Sequence, residues 1–227
     1  MSIASTIHQI NSELPQGTRL VAVSKFHPKE AIQEAYDAGQ RIFGESHVQE
    51  LQNKHANLPQ DIEWHFIGHL QTNKVKYLAP YVSLIHAVDS LRLMQEIEKQ
   101  AAKCQRTIRI LLQLHVAREE TKFGMTCEEC DALLAEGLWR EMKHIRIAGI
   151  MCMASNVDDE EQIAREFGTA HQFFLHARDR YFSDYPAFCE CSMGMSDDYP
   201  IAIQHGSTLV RVGSKIFGNR VYATNPS

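Results

Sequence analysis

Eight short runs of apolar and β-branched residues recur along the chain, and amphipathic helical patterns separate them. Two parallel strands need a crossover connection, usually a helix, so alternation of strands with helices indicates a parallel sheet. The predicted strands are Arg19–Ser24, Arg41–Phe43, Ile62–Ile67, Ser83–His86, Thr107–Val116, Ile145–Met151, Phe188–Ser192 and Thr208–Val212. Eight strands in one such series favour a sheet that closes on itself.

The intervening helices are clearest where apolar residues recur every three or four positions. We predict helices over Lys29–Ala38, Leu91–Ala102 and Glu160–Ala177, and an additional helix over Ile3–Leu14 before the first strand. The chain has 227 residues, slightly fewer than a typical barrel of about 250. We therefore predict an α/β fold with one domain over residues 1–227, a single (β/α)8 TIM-type barrel with an extra N-terminal helix. A doubly wound open sheet is the alternative, although its Gly-x-Gly-x-x-Gly turn and the Walker loop are both absent from the sequence.

Charge and hydropathy exclude several classes of partner. The formal net charge is −5 and the pI is near 6.2, and Lys and Arg are dispersed rather than clustered. Neither feature is typical of a nucleic-acid-binding face. No run of 18 apolar residues occurs, and the N-terminal residues lack a basic leader followed by an apolar stretch. We expect a cytoplasmic protein that acts on small molecules and binds neither nucleic acid nor membrane.

The six cysteines suggest reduced thiols rather than a disulfide framework, because the chain has no evident export signal. Cys127 and Cys130 have the spacing of a zinc-binding pair. However, Thr126 and Glu129 form a capping-box pattern, which would place the two cysteines in the first turn of a helix. Since no second pair at ligand spacing follows, we predict no metal site.

Lys25 follows an apolar run in the segment VAVSKFHP. Val21, Val23 and Lys25 alternate with period two, so their side chains point to the same side of the first strand. Reactive groups of barrels lie at the carboxyl ends of the strands, and Lys25 is therefore expected at the mouth. Pro28 suits the first turn of the next helix. A solvated loop lysine is the alternative interpretation.

The last two strand-to-helix connections predict an anion site. In SMGMSDDYPIAIQHG, Gly194 permits a tight turn, and Ser196 resembles the N-cap of a helix that ends at Gly206. In TLVRVGSKIFG, Gly213 and Ser214 could offer backbone N–H groups at the start of a short final helix. Helix capping alone could explain these residues. Barrels nevertheless commonly hold phosphate after strands seven and eight.

Arg211 lies in this nearly apolar last strand, and a buried arginine needs an acceptor. A structural carboxylate is one candidate, and a ring nitrogen or phosphate of a ligand is the other. A lysine at the first strand end facing a phosphate nest at the last two describes a site for a phosphorylated aldehyde held as a Schiff base. Pyridoxal 5′-phosphate (PLP) is the obvious candidate.

Six segments of the chain together carry a family resemblance. They are VAVSKFHP, FGESHVQE, WHFIGHLQTNK, EETKFG, SMGMSDD and LVRVGSKIFG, in that order. In this order they closely resemble the pyridoxal phosphate homeostasis proteins, the YggS/PROSC-like family. The resemblance implies a barrel like the N-terminal domain of alanine racemase, with PLP on the lysine of the V-S-K motif, here Lys25.

The resemblance also implies how the cofactor phosphate is held. The matching residues are Ser192, Gly194, Met195 and Ser196, followed by Arg211, Gly213 and Ser214. Where the family usually has asparagine, this chain has Ser46, and we carry no cofactor contact over to this shorter side chain.

Three functions remain open on the sequence. The first, which we favour, is a protein without efficient catalysis that buffers PLP or delivers it to apo-enzymes, acting as a monomer. The second is a PLP-dependent racemase of low activity. Racemases take a second base from a C-terminal domain, for which we expect no room because the sequence ends at Ser227. The third is a cofactor-free Schiff-base aldolase. His65 and His69 are candidate bases, but strand histidines are more often packed, and we assign no catalytic residue.

Overall fold

A computed structural model describes residues 2–117 and 123–218. Eight parallel strands form a closed barrel in sequential order, and the last strand pairs with the first. The strands are β1 Arg19–Val23, β2 Ile42–Glu45, β3 Glu63–Phe66, β4 Leu84–Val88, β5 Ile108–Leu114, β6 Ile145–Cys152, β7 Glu190–Ser192 and β8 Leu209–Val212. The predicted barrel is confirmed, and the open-sheet alternative is wrong because β1 and β8 are hydrogen-bonded to each other.

Helices follow the strands on the outside of the barrel. They are α1 Ile3–Glu13, α2 Lys29–Asp37, α3 Val48–Asn57, α4 Val75–Leu78, α5 Leu91–Lys103, α6 Cys127–Glu136, α7 Glu160–Tyr181, α8 Tyr199–Gln204 and α9 Ser214–Phe217. The extra helix α1 precedes β1 as predicted. Part of the EETKFG segment, residues 119–122, lies outside the described residues.

Closure of the barrel depends on one glycine in β6. Gly149 has φ of +150°, and a Cβ atom at this position would lie 1.7 Å from the carbonyl oxygen of Glu190 in β7. The register of β5 against β6 shifts close by, between Ile110 and Leu111. Only glycine tolerates both the backbone conformation and this close approach, so the irregularity brings β6 against β7.

The interior of the barrel is divided into an apolar part and a charged end. Its apolar cluster consists of Val21, Leu84, Ala87, Leu111, Ala148, Met151 and Leu209. At the amino ends of the strands, Glu190 forms ion pairs with Arg19 and Arg109, and Arg109 lies 3.7 Å from Glu63. The four charged residues come from alternate strands, the usual origin of one interior layer. They close the end opposite the predicted site.

The cysteine pair of the sequence lies in the first turn of α6, and the predicted capping box is confirmed. Thr126 accepts a hydrogen bond from the N–H of Glu129, whose side chain accepts one from the N–H of Thr126. Burial raises the pKa of the Cys127 and Cys130 thiols, which disfavours the thiolate that binds metal. Within the described residues, no cluster of His, Cys, Asp or Glu is arranged to hold a metal ion. No described helix has the length and apolar character needed to cross a membrane.

Candidate cofactor site

A cavity of about 260 Å³ opens at the carboxyl ends of the strands. Six of the eight predicted site residues line it, namely Lys25, Met195, Ser196, Arg211, Gly213 and Ser214. The remaining wall includes Val23, Ile67 and Met153, which are apolar, and His27 and Asp197. The structure thus brings together residues from the two ends of the sequence. Because β1 pairs with β8, Lys25 lies near the last strand, although the two are far apart in the sequence.

Lys25 lies at the mouth of the barrel, the position predicted for it. Val21 belongs to the interior apolar cluster, and Val23 and Lys25 line the cavity above it. β1 ends at Val23, so Lys25 lies in the connection to α2 rather than in the strand itself. Pro28 is the N-cap residue of α2 and not part of its first turn, one position earlier than predicted.

A buried ion network supports the connection that carries Lys25. The Lys54 ammonium group donates hydrogen bonds to Glu45 at 2.8 Å, to Glu50 at 2.7 Å and to the carbonyl oxygen of Ser24 at 2.7 Å. The Ser24 hydroxyl donates to the same Glu45 oxygen at 2.6 Å. Lys54 and Glu45 are almost fully buried. The network therefore links α3 and β2 directly to the residue before Lys25.

Glu50 also fixes the residue after Lys25. Phe26 has φ of +66°, in the left-handed region that side chains other than glycine rarely adopt. Its N–H donates to the Glu50 carboxylate at 2.6 Å, and its ring lies 5.0 Å from the His47 ring. These contacts hold an unfavourable backbone conformation next to Lys25. The lysine is consequently presented by a restrained turn.

The Glu45 carboxylate gives this network a pH dependence. Burial raises the pKa of Glu45 to about 7, with Lys54 opposing the rise and Glu50 adding to it. Its second oxygen has no hydrogen-bond partner among the described residues. The group titrates near its ordinary value when unfolded, so the native state binds more protons between about pH 4.5 and 7. The contribution of Glu45 to the free energy of unfolding is therefore complete below that window and is lost as the pH rises through it.

Glu45→Gln is expected to remove this dependence, because the amide keeps a hydrogen-bond acceptor without a titrating proton. The free energy of unfolding of the variant minus that of the unsubstituted protein should increase by on the order of 1–3 kcal/mol as the pH rises from 5 to 8. Urea unfolding of both proteins at one-unit pH intervals measures the difference, and other titrating groups cancel in it. A difference that stays constant with pH would contradict the assignment.

The anion end of the cavity is formed by two connections that contact each other. The backbone N–H of Gly213 donates to the Ser196 hydroxyl at 3.2 Å, and α9 begins at Ser214. The prediction that Ser196 is an N-cap is wrong, because α8 begins only at Tyr199 and its N-cap is Asp198. Asp198 instead accepts a hydrogen bond from the N–H of Met195. The Ser196 hydroxyl is therefore part of the cavity wall.

Ser192 and Gly194 lie behind this wall rather than in it. Gly194 has φ of +92°, and a Cβ atom there would lie 2.7 Å from the Cβ of Ala202 and 2.8 Å from the Cα of Tyr199. Its carbonyl oxygen accepts from the N–H of Arg211 at 2.9 Å. Ser192 is fully buried inside the barrel. Direct contact of these two residues with a cofactor remains a prediction.

Arg211 is buried, and neutral acceptors hold its guanidinium group. The guanidinium donates to the carbonyl oxygen of Ser192 at 2.9 Å, to the Ser192 hydroxyl at 2.7 Å and to the carbonyl oxygen of Cys152 at 2.8 Å. No described carboxylate lies within ion-pair distance of it, so none of the carboxylates in the described ranges is its acceptor. Three neutral acceptors hold the guanidinium, and its charge remains available to the cavity that it lines.

The two candidate histidine bases occupy different environments. His65 is fully buried in β3 and lies 3.2 Å from the Glu63 carboxylate. His69 stacks on Phe123 with ring centroids 4.0 Å apart and lines a neighbouring cavity together with Ser46 and Lys74. Among the described residues, neither histidine lines the wall of the Lys25 cavity.

Comparison with known proteins agrees with this geometry. The family model for the alanine racemase N-terminal domain matches residues 1–221. The alanine racemase of Streptomyces coelicolor A3(2) has a TM-score of 0.75 at 17% identity, with 95% of this chain and 57% of that chain covered, a likeness of fold alone. PipY of Synechococcus elongatus PCC7942, solved with PLP bound, has a TM-score of 0.86 at 34% identity, covering 96% of this chain and all of that one. Without PLP its TM-score is 0.89.

Fold and site together define a barrel of the alanine racemase N-terminal type. Two relatives identify the family within this fold. The pyridoxal phosphate homeostasis protein of Aquifex aeolicus is 38% identical over 206 residues, covering 90% of this chain and 88% of its own. That of Escherichia coli K12 is 37% identical over 216 residues, covering 92% and 88%. The chain belongs to the pyridoxal phosphate homeostasis protein family.

Proposed function

We propose that this protein binds PLP in the cavity at the carboxyl ends of the strands, joined covalently to the Lys25 amine. One observation carries the proposal. Lys25, Arg211 and the contacting pair Ser196 and Gly213, which are distant in sequence, line a single cavity of about 260 Å³. The family to which the chain belongs and the PLP-bound structure of PipY support the same ligand.

The chemistry of the wall fits each part of PLP. The Ser196 and Ser214 hydroxyls and the N–H groups of Ser214 and Lys215 at the start of α9 suit a phosphate, whereas the next two N–H groups of α9 donate to the Gly213 carbonyl oxygen. Val23, Ile67 and Met153 offer an apolar surface to an aromatic ring. Lys25 supplies the amine.

PLP contributes an aldehyde that reacts reversibly with amines, which makes the free molecule reactive and the bound one transferable. Lys25 would supply the amine that holds the carbonyl carbon of the bound cofactor. Arg211 can donate hydrogen bonds but cannot accept them. Next to the ring nitrogen it would leave that nitrogen unprotonated, and a neutral ring is a weak electron sink for removal of an α-proton.

The function that follows is intracellular storage and delivery of PLP in the cytoplasm, without efficient catalysis. Reversible attachment to Lys25 limits the concentration of free aldehyde. Exchange of Lys25 for another amine, such as the lysine of an apo-enzyme, would release the cofactor and return Lys25 to its free amine. A racemase of low activity would use the same lysine, and Arg211 is the residue that argues against efficient carbanion chemistry.

The loaded protein is expected to transfer PLP while turning over amino acids slowly or not at all. Holoprotein freed of unbound PLP by gel filtration is mixed with an apo-enzyme, and recovery of that enzyme's activity measures transfer. The filtrate serves as the control. A parallel sample in deuterated water with L-amino acids reports α-proton exchange and D-isomer formation. Turnover of roughly 1–1000 per second on any amino acid would instead establish a racemase.

A further inference from the structure

Five polar residues form one hydrogen-bonded line through the interior of the barrel, which we call the polar column. From the charged end to the cavity they are Glu63, His65, His86, Ser192 and Arg211, on β3, β3, β4, β7 and β8. The four contacts measure 3.2 Å from Glu63 to His65, 3.0 Å between the histidines, 3.0 Å from His86 to Ser192 and 2.7 Å from Ser192 to Arg211.

The two ends of the polar column determine the direction of every hydrogen bond in it. A carboxylate only accepts, so His65 must donate from Nε2. A neutral His65 then accepts at Nδ1, which requires His86 to donate from Nε2. A neutral His86 in turn accepts at Nδ1 from the Ser192 hydroxyl. Ser192 still has a lone pair for Arg211, which only donates.

Burial keeps both imidazoles neutral. His65 and His86 are fully buried. Desolvation lowers the pKa of His65, against the effect of Glu63, and desolvation with the nearby His65 and Arg211 lowers the pKa of His86 further. Glu63 is the half-buried member, and the hydrogen bond from His65 lowers its pKa. One arrangement of protons satisfies all four contacts.

We propose that the polar column is a positioning device for Arg211, in which His65 and His86 are fixed as neutral Nε2–H tautomers and orient the Ser192 hydroxyl toward the guanidinium. The hydroxyl hydrogen points to His86, so its lone pair faces Arg211. The backbone carbonyl oxygen of Ser192 accepts a second hydrogen bond from the same guanidinium nitrogen. The guanidinium is thereby held at one angle to the cavity. The effect of the polar column on PLP binding rests on the proposed function, whereas the assignment of the two histidine tautomers is independent of it.

Imidazole nitrogen-15 NMR of the full chain at pH 7.5 tests the tautomers directly. Assigned by comparison with His65→Gln and His86→Gln, both rings should show a protonated Nε2 and an unprotonated Nδ1. Nδ1–H tautomers or doubly protonated rings at either position would overturn the proposal, whether or not the protein binds PLP.

Ser192→Ala tests the coupling to the cavity. Without the hydroxyl, His86 loses the donor to Nδ1, and its NMR signals should show a mixture of tautomers. The dissociation constant for PLP should rise about tenfold, and the visible absorption maximum of the bound cofactor should shift. Ser207→Ala is the matched control, since this buried hydroxyl donates to the Met193 carbonyl oxygen at 2.7 Å outside the polar column. It should change neither readout.

The outcomes separate the column from the cofactor hypothesis. Fixed tautomers in a protein that takes up no PLP would leave the column intact and overturn the proposed function. If Ser192→Ala lowers only the free energy of unfolding, leaving His86, the affinity and the spectrum as they were, the column has no positioning role and the inference is wrong.

Discussion

Lys25→Ala is expected to abolish covalent retention of PLP. After mixing with PLP, borohydride reduction and proteolysis, the unsubstituted protein should carry a pyridoxyl phosphate group on the peptide containing Lys25, and the variant should carry none. The expectation follows from the position of Lys25 in the wall of the cavity that also contains Arg211 and Ser196. The measurement is mass spectrometry of the reduced peptides, and the visible absorption band should be absent from the variant.

Lys29→Ala is the matched control for this experiment. Lys29 is exposed at the start of α2, four residues from Lys25 in the same segment, and should not affect retention. Both variants should unfold at denaturant concentrations close to those of the unsubstituted protein, because neither side chain is part of the buried core. Modification spread over surface lysines with Lys25 unmodified would refute the assignment. Protein that never takes up PLP but cleaves sugar phosphates would favour the aldolase.

The barrel was predictable because its strands carry a signal that depends only on near neighbours. Apolar runs separated by helical periods gave all eight strands, with ends displaced by at most two residues. The larger error is at α7, which continues to Tyr181 although the prediction stops at Ala177. Its last turn contains Arg178 and Arg180, which suit the negative end of a helix but add nothing to an apolar period.

The site was predictable only where the reason for a residue's position is local. The period of two from Val21 predicted Lys25 at the mouth without knowledge of the fold, although the strand itself ends at Val23. By contrast, the supporting partners Glu45 and Lys54 of that turn could not be assigned, because α3 reaches Ser24 across 30 residues. His86 and Ser192 are 106 residues apart and meet only because the strands enclose one interior.

The predicted cap at Ser196 was wrong for a related reason. A serine followed by two aspartates is typical of a helix start, but the pattern does not indicate which of these neighbouring polar residues is the N-cap. In the structure Asp198 takes the capping position and Ser196 contacts Gly213. The N-cap is thus two residues later than predicted, and the Ser196 hydroxyl lines the cavity instead of capping a helix. This position favours an anion site.

Pyridoxal without its phosphate is expected to bind at least about a hundredfold more weakly than PLP. Ser196, Ser214 and the N-terminus of α9 offer hydrogen bonds that a phosphate strengthens by its charge, each contributing about 1.5–3 kcal/mol before compensation by water. Loss of two such bonds corresponds to roughly a hundredfold in the dissociation constant. Absorbance titration of the protein with each compound measures both affinities, and both retain the aldehyde that reacts with Lys25.

Ser196→Ala divides this effect between the hydroxyl and the backbone. The variant loses one donor to the phosphate and the acceptor of the Gly213 N–H, so its affinity for PLP should fall about tenfold, while its affinity for pyridoxal should change little. Ser46→Ala is the control, because Ser46 lines the neighbouring cavity and not the one that contains Lys25. Equal binding of PLP and pyridoxal by the unsubstituted protein would mean that Ser196 and Gly213 only join two connections. Retention would then depend on Lys25 and the ring alone, and the phosphate would contribute nothing to the choice of cofactor.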